Sequence, residues 1–132
     1  MKVLIDTCIW SKALRHKNPN KTIINELKQL IFDARVAIIG PIRQELLSGI
    51  ADRSQFNKLK NKLSAFEDIP LKTNHFIKGA EFNNLCKSKG IQGSMIDFLI
   101  CATASIENLH IFTEDKDFKH YEKVLPIKLY AI

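Results

Sequence analysis

At 132 residues, 45% of them apolar, the chain suits one compact domain over residues 1–132 with a real core, which excludes a disordered tail or a fibrous repeat. Its formal charge of +6, from 20 Lys and Arg against 14 Asp and Glu, fits a polyanionic partner and fits ordinary solubility equally well. Three cysteines, Cys8, Cys86 and Cys101, make no C-x-x-C pair, which argues against a disulfide framework or a zinc site and for a reducing compartment.

The N-terminus opens into Val3-Leu4-Ile5, an apolar run too short for a signal peptide, and no later segment approaches a membrane span; the expectation is a soluble, cytoplasmic protein with no membrane contact. Residues 2–5 read as a buried strand ended by Asp6. A short helical stretch over 9–15 is interrupted by His16-Lys17-Asn18-Pro19-Asn20. Ile23, Ile24, Leu27, Leu30 and Ile31 recur at helical spacing and predict a helix over 21–34. Residues 36–39 form a second buried strand, stopped by Gly40-Pro41, and proline suits the first position of the helix that carries Glu45. Phe56, Leu59, Leu63 and Phe66 mark the next helix, whose Lys58, Lys60 and Lys62 read as a solvated face. Residues 69–71 suggest a short edge strand, because Pro70 disfavours a central place in a sheet.

A helix is expected over 73–88. From Ser94 to Ile106 runs another, capped by Ser94 and apolar nearly all round, as a buried helix must be. Residues 110–113 and 127–132 complete the strands. Strands separated by helices of this length predict a three-layer α/β/α fold around a central parallel sheet of four or five strands.

In open parallel sheets the ligand site lies beyond the carboxyl ends of the strands. Asp6, Asp115 and Glu45 fall near that edge, although an Asp there is also a common turn former or helix cap. Asp97 is the sharper signal. It interrupts an apolar helix, where an unpaired ionised carboxylate costs several kcal/mol or shifts its pKa; the competing reading is a cap near the helix N-terminus. Carboxylates gathered at one point repel, and a divalent cation removes the difficulty. Hard oxygen ligands favour Mg²⁺, with Mn²⁺ as a substitute, over zinc.

The segments Val3-Leu4-Ile5-Asp6-Thr7, Arg43-Gln44-Glu45-Leu46, Met95-Ile96-Asp97-Phe98-Leu99-Ile100-Cys101-Ala102-Thr103-Ala104 and Thr113-Glu114-Asp115-Lys116-Asp117-Phe118 together resemble the PIN domain, and within it the VapC toxins of bacterial toxin–antitoxin pairs. The resemblance implies a metal-dependent endoribonuclease. Asp6, Glu45, Asp97 and Asp115 match its catalytic acids, and Asp6, Asp97 and Asp115 its metal ligands. Thr113, Thr7 and Asp117 match supporting positions; Asp117 ranks below Asp115 and is read as setting the turn before Phe118. Where the family often has Asn or Ser after Asp-Thr, this chain has Cys8, a weak hydrogen-bonding group.

The same resemblance implies structured RNA as substrate, tRNA or rRNA, with a VapB-like antitoxin and a homodimer as partners. Arg15, Lys17, Arg43 and Lys116 are the candidate RNA contacts, with Lys21 and Lys119 beside them. Either Glu45 or Asp97 would orient the attacking water, and one or two ions would be held. Trp10 is read as core or interface in preference to a base-stacking ring, and the four histidines as structural or surface residues. A haloacid-dehalogenase-like phosphatase wants a second Asp where Cys8 stands, and a receiver domain wants an acidic pair at the first strand. A non-catalytic α/β RNA-binding module with structural acids is the remaining alternative.

Overall fold

The computed structural model describes residues 1–15 and 20–132. Their order is β1 (Val3–Ile5), α1 (Thr7–Arg15), α2 (Lys21–Phe32), β2 (Val36–Ala37), α3 (Gly40–Leu47), α4 (Arg53–Leu63), α5 (Thr73–Ser88), α6 (Met95–Glu107), β3 (His110–Phe112), α7 (Asp117–Glu122) and β4 (Lys128–Leu129). The strands are all parallel, in the spatial order β2-β1-β3-β4. Val3, Leu4 and Ile5 are each fully buried, so both faces of the central strand are covered by helices. That is why β1 reads as a continuous apolar run and shows no alternation. The expected α/β/α sandwich is the observed one, with four strands.

From β1 the chain crosses to one side to form β2, then returns to form β3 on the other side. The crevice between β1 and β3 is therefore a topological switch point, where α/β sheets keep their ligand sites. Register makes this concrete: Ile5 stands opposite Phe112, so the residues that follow, Asp6 and Thr113, leave adjacent strands side by side. The Asp6 N–H still donates to the Phe112 carbonyl at 2.9 Å, which extends the pairing to the edge of the site.

Expected strands shorten at both edges of the sheet, and β2 itself stops at Ala37. The segment near 69–71 contributes only an isolated bridge from Asp68 to Ile38, and the Ile69 N–H donates to the Ile38 carbonyl at 2.9 Å. Pro70 follows and has no N–H with which to continue a ladder. At the other edge β4 pairs through Lys128 and Leu129, with one further bond from the Tyr130 N–H to Ile111 at 2.7 Å. The helix α7 has no counterpart in the expected elements. Six residues are too few to show a period, and its apolar signal is only the pair Phe118 and Tyr121, both buried.

The largest buried side chains, Trp10, Tyr121, Phe98, Phe112 and Phe118, lie on elements that flank the switch point. Trp10 is 1% exposed and packs on Phe66 with ring centroids 5.3 Å apart, so it is a core residue. His75 is also structural: its Nδ1 accepts from the Lys72 N–H at 3.0 Å, so Nε2 carries the proton and faces Glu107 at 3.1 Å. Lys58, Lys60 and Lys62 are exposed, as a solvated helix face should be.

Candidate metal centre

Asp6 is the buried floor of the site, 7% exposed. Its Oδ1 accepts from the Thr7 N–H at 2.8 Å, and its Oδ2 accepts from the Thr113 hydroxyl at 2.7 Å and, at 3.6 Å, from the Cys8 thiol. Burial pushes the Asp6 carboxyl pKa up, and the donors from Thr113, Thr7 and Cys8 pull it back only in part. The Cys8 thiol is itself pushed up, first by burial and then by Asp6. It therefore stays protonated, a weak donor to Asp6 and no thiolate ligand.

Thr113 ties the first strand to the last motif. Its hydroxyl donates to Asp6 and accepts from the Asp115 N–H at 3.0 Å. Asp115 Oδ1 in turn accepts from the Asp117 N–H at 2.9 Å, the side-chain-to-backbone turn that starts α7. Asp117 thus enters the turn through its backbone, while its carboxylate is left for other work. Thr7 plays the matching part for Glu45: its hydroxyl donates to Glu45 Oε1 at 2.7 Å and links α1 to α3. Glu45 is exposed, on the rim of the site, beside a depression lined by Thr7, Pro41, Gln44, Ser48 and Ile96.

Asp97 is the third residue of α6, and the cap of that helix is Ser94, whose Oγ accepts the Asp97 N–H at 3.1 Å. The Asp97 carboxylate does not cap. Its Oδ2 accepts from the Tyr121 hydroxyl at 2.8 Å. Burial pushes its pKa up, opposed by the Tyr121 and Ser94 bonds and reinforced by the charges of Asp6 and Asp115.

Carboxylate oxygens of Asp97, Asp115 and Asp117 lie within 4.8 Å of one another. Asp117, ranked below Asp115 from sequence, belongs to this tight group; Asp6, placed among the ligands from sequence, lies next to it through Thr113 and is not one of the three. No basic side chain among the described residues is ion-paired to Asp6, Glu45, Asp97, Asp115 or Asp117. Hard oxygen donors, mutual repulsion and no protein cation fit a divalent metal ion.

The candidate RNA contacts divide. Lys116 is exposed between Asp115 and Asp117, and Lys21 and Lys119 are exposed as well. Arg43 is committed elsewhere: Nε donates to Asp68 at 3.1 and 3.2 Å, Nη1 to the Leu63 carbonyl at 2.9 Å and Nη2 to the Phe66 carbonyl at 2.5 Å. Leu63 ends α4 and Phe66 lies in the turn after it, so Arg43 holds that helix end and is not an outward phosphate contact. Lys17 and the Arg15 side chain lie outside the described residues. Sequence reasoning missed Tyr121 altogether, although its spacing of three from Phe118 gives a helical face.

The PIN domain model matches residues 3–124. The chain belongs to the PIN domain family. No curated protein matches it significantly in sequence. Its fold is similar to a chain in the crystal structure of VapBC2 from Rickettsia felis bound to a DNA fragment from their promoter, with TM-score 0.81, 24% identity and coverage of 98% of each chain. It is also similar to a chain in the FitAcB structure from Neisseria gonorrhoeae, with TM-score 0.80 and 22% identity over 98% of this chain and 96% of that one. VapBC-1 from nontypeable Haemophilus influenzae gives TM-score 0.74 at 16% identity, covering 99% and 98%. PIN nucleases typically use a divalent metal ion, which agrees with the donor set of this PIN domain.

Proposed function

We propose that this PIN domain, a single unit over residues 1–132, is a divalent-metal-dependent endoribonuclease and the toxin of a toxin–antitoxin pair. The observation that carries the enzymatic reading is the group of Asp97, Asp115 and Asp117 within 4.8 Å, beside buried Asp6, with no ion-paired basic side chain among the described residues. Asp97, Asp115 and Asp117 would hold Mg²⁺ or Mn²⁺, with Asp6 completing the negative field from below. Such an ion supplies an acidified water and a counter-charge for a phosphate under in-line attack.

The chain's own residues supply the order. Thr113 fixes the Asp6 carboxylate and the Asp115 backbone in one hydrogen-bond sequence. Thr7 holds one Glu45 oxygen, which leaves the exposed carboxylate on the rim, able to take a proton from water entering beside the scissile phosphate. Lys116 is the phosphate contact favoured by position. Attack by water leaves a 5′-phosphate and a 3′-hydroxyl; a 2′,3′-cyclic phosphate would speak for attack by the ribose and against this reading. Similarity to VapBC and FitAB complexes supports a VapB-like antitoxin as partner, and the homodimer is proposed on the same ground. Structured RNA, tRNA or rRNA, is the proposed substrate. No helix among the described residues is long and apolar enough to cross a membrane, in keeping with a proposed cytoplasmic location.

The test is cleavage of total tRNA and rRNA by purified protein, with Mg²⁺ or Mn²⁺ and with chelator. Cleavage is expected only with metal, and Asp6→Asn should lower it by about 10- to 100-fold, the usual effect of a residue just outside the ligand set. The variant's melting temperature in chelator should not fall. An inactive wild type that binds RNA tightly would leave the non-catalytic module standing. A variant that loses its fold in chelator would make Asp6 structural.

A further inference from the structure

Asp97 hangs from α6 by a side chain whose terminal torsion has a broad, shallow preference, so its carboxylate plane is not fixed by its own rotamer. A metal ligand with that freedom loses entropy on each binding event. Something must hold the plane, and Tyr121, from α7, donates to its Oδ2 at 2.8 Å, beside a contact from the Ser94 hydroxyl.

Tyr121 is itself immobile. It is fully buried, with its ring 5.1 Å from Phe98 and 5.1 Å from Phe118. Above it lies Gly93, an exposed residue with no room for a side chain. A Cβ there would stand 2.3 Å from the Tyr121 hydroxyl oxygen, 2.8 Å from Cζ and 2.9 Å from Phe98 Cζ. Backbone, two phenyl rings and one carboxylate thus enclose a single hydroxyl.

We infer that Tyr121 is a positioning residue for the metal centre: it clamps the Asp97 carboxylate through Oδ2 and requires glycine at position 93 for its hydroxyl to reach. The inference rests on the metal-centre reading above. A buried hydroxyl merely satisfying itself would cost stability when removed and leave metal uptake unchanged. A clamp has the opposite signature.

Tyr121→Phe keeps the ring and removes only the donor. Calorimetric Mn²⁺ binding to the full chain should weaken by about 10-fold or more, the range for residues that orient ligands. Its melting temperature in chelator should stay near wild type, and RNA cleavage should recover most of its rate at high Mn²⁺. Gly93→Ala should weaken Mn²⁺ binding in the wild-type background and add little to Tyr121→Phe, because the two act through one bond. Equal Mn²⁺ affinity in wild type and Tyr121→Phe overturns the clamp and spares the metal centre. A wild type that takes up no Mn²⁺ overturns both. If Tyr121→Phe melts in chelator, Gly93→Ala alone decides: an unchanged Mn²⁺ affinity overturns the clamp, a weakened one supports it.

Discussion

Two parts of this PIN domain hold carboxylates close to the core, and they treat them oppositely. Asp68 meets the Arg43 guanidinium, which answers its charge, and Glu107 accepts from Nε2 of the buried His75 ring. At the strand ends, Asp6, Asp97, Asp115 and Asp117 are linked, among the described residues, through hydroxyls, the Cys8 thiol and backbone N–H groups. A hydroxyl orients a carboxylate without neutralising it. The first arrangement stabilises a fold, and the second leaves its negative charge unanswered by any ion pair among the described residues.

If the contrast is real, the paired region should matter for stability and be silent in chemistry. Arg43 is the strongest case, since it bonds the Leu63 carbonyl that ends α4 and the Phe66 carbonyl after it, as well as Asp68. Arg43→Ala should cost about 2–3 kcal/mol in denaturant unfolding, the usual scale for charge-assisted bonds to partly buried groups. Its Mn²⁺ affinity and its RNA Kd, measured well below the melting temperature, should match wild type. Unchanged stability with weaker RNA binding would restore Arg43 to the substrate contacts and dissolve the contrast on that side.

The unpaired region should show the reverse, and pH exposes it. Burial holds the Asp6 pKa above its ordinary 3.8, so the folded chain keeps that proton more tightly than the unfolded chain does. The stability this gives is complete below about pH 3.8 and is lost as pH rises through the folded value. Asp6→Asn has no such titration. In chelator, the melting temperature of wild type relative to Asp6→Asn should therefore decline from acid to neutral pH, by a few degrees, and Mg²⁺ should restore wild type only. A difference that moves the other way would mean that Asp6 is stabilised by its donors and needs no cation.

How much of this was legible in the sequence follows the same division. The strand-end positions of Asp6 and Thr113 came from apolar runs that stop abruptly, and a parallel sheet makes such runs easy to read. Asp97 stood out because a lone acid in an apolar helix has few innocent explanations. Arg43 misled, since sequence shows a cation beside an acidic motif but not the carbonyls at the end of α4 that occupy it. Asp117 and Tyr121 were obscured for a different reason. Both belong to α7, a helix of six residues that offers one apolar pair in place of a period, and the direction of Asp117 depends on the Asp115 turn that starts that helix.

The smallest expected effect tests where the substrate meets this uncompensated charge. Lys116 is exposed in the turn between two of the clustered acids, so its ammonium is held near the metal centre by the chain and not by an ion pair among the described residues. Lysine binds phosphate as a point charge without reading a base, so it should contribute affinity and no cut-site preference. Removing one such contact releases one fewer counterion, and the slope of log Kd against log salt should fall by about 0.7 for a single strand or 0.9 for a duplex. Lys116→Ala is therefore expected to flatten that slope by this amount, with the cleavage map unchanged and the Mn²⁺ affinity, if anything, slightly raised by the loss of a nearby positive charge. An unaltered slope would leave Lys116 as a solvated turn residue and move the phosphate track to the other rim of the site, where Glu45 stands.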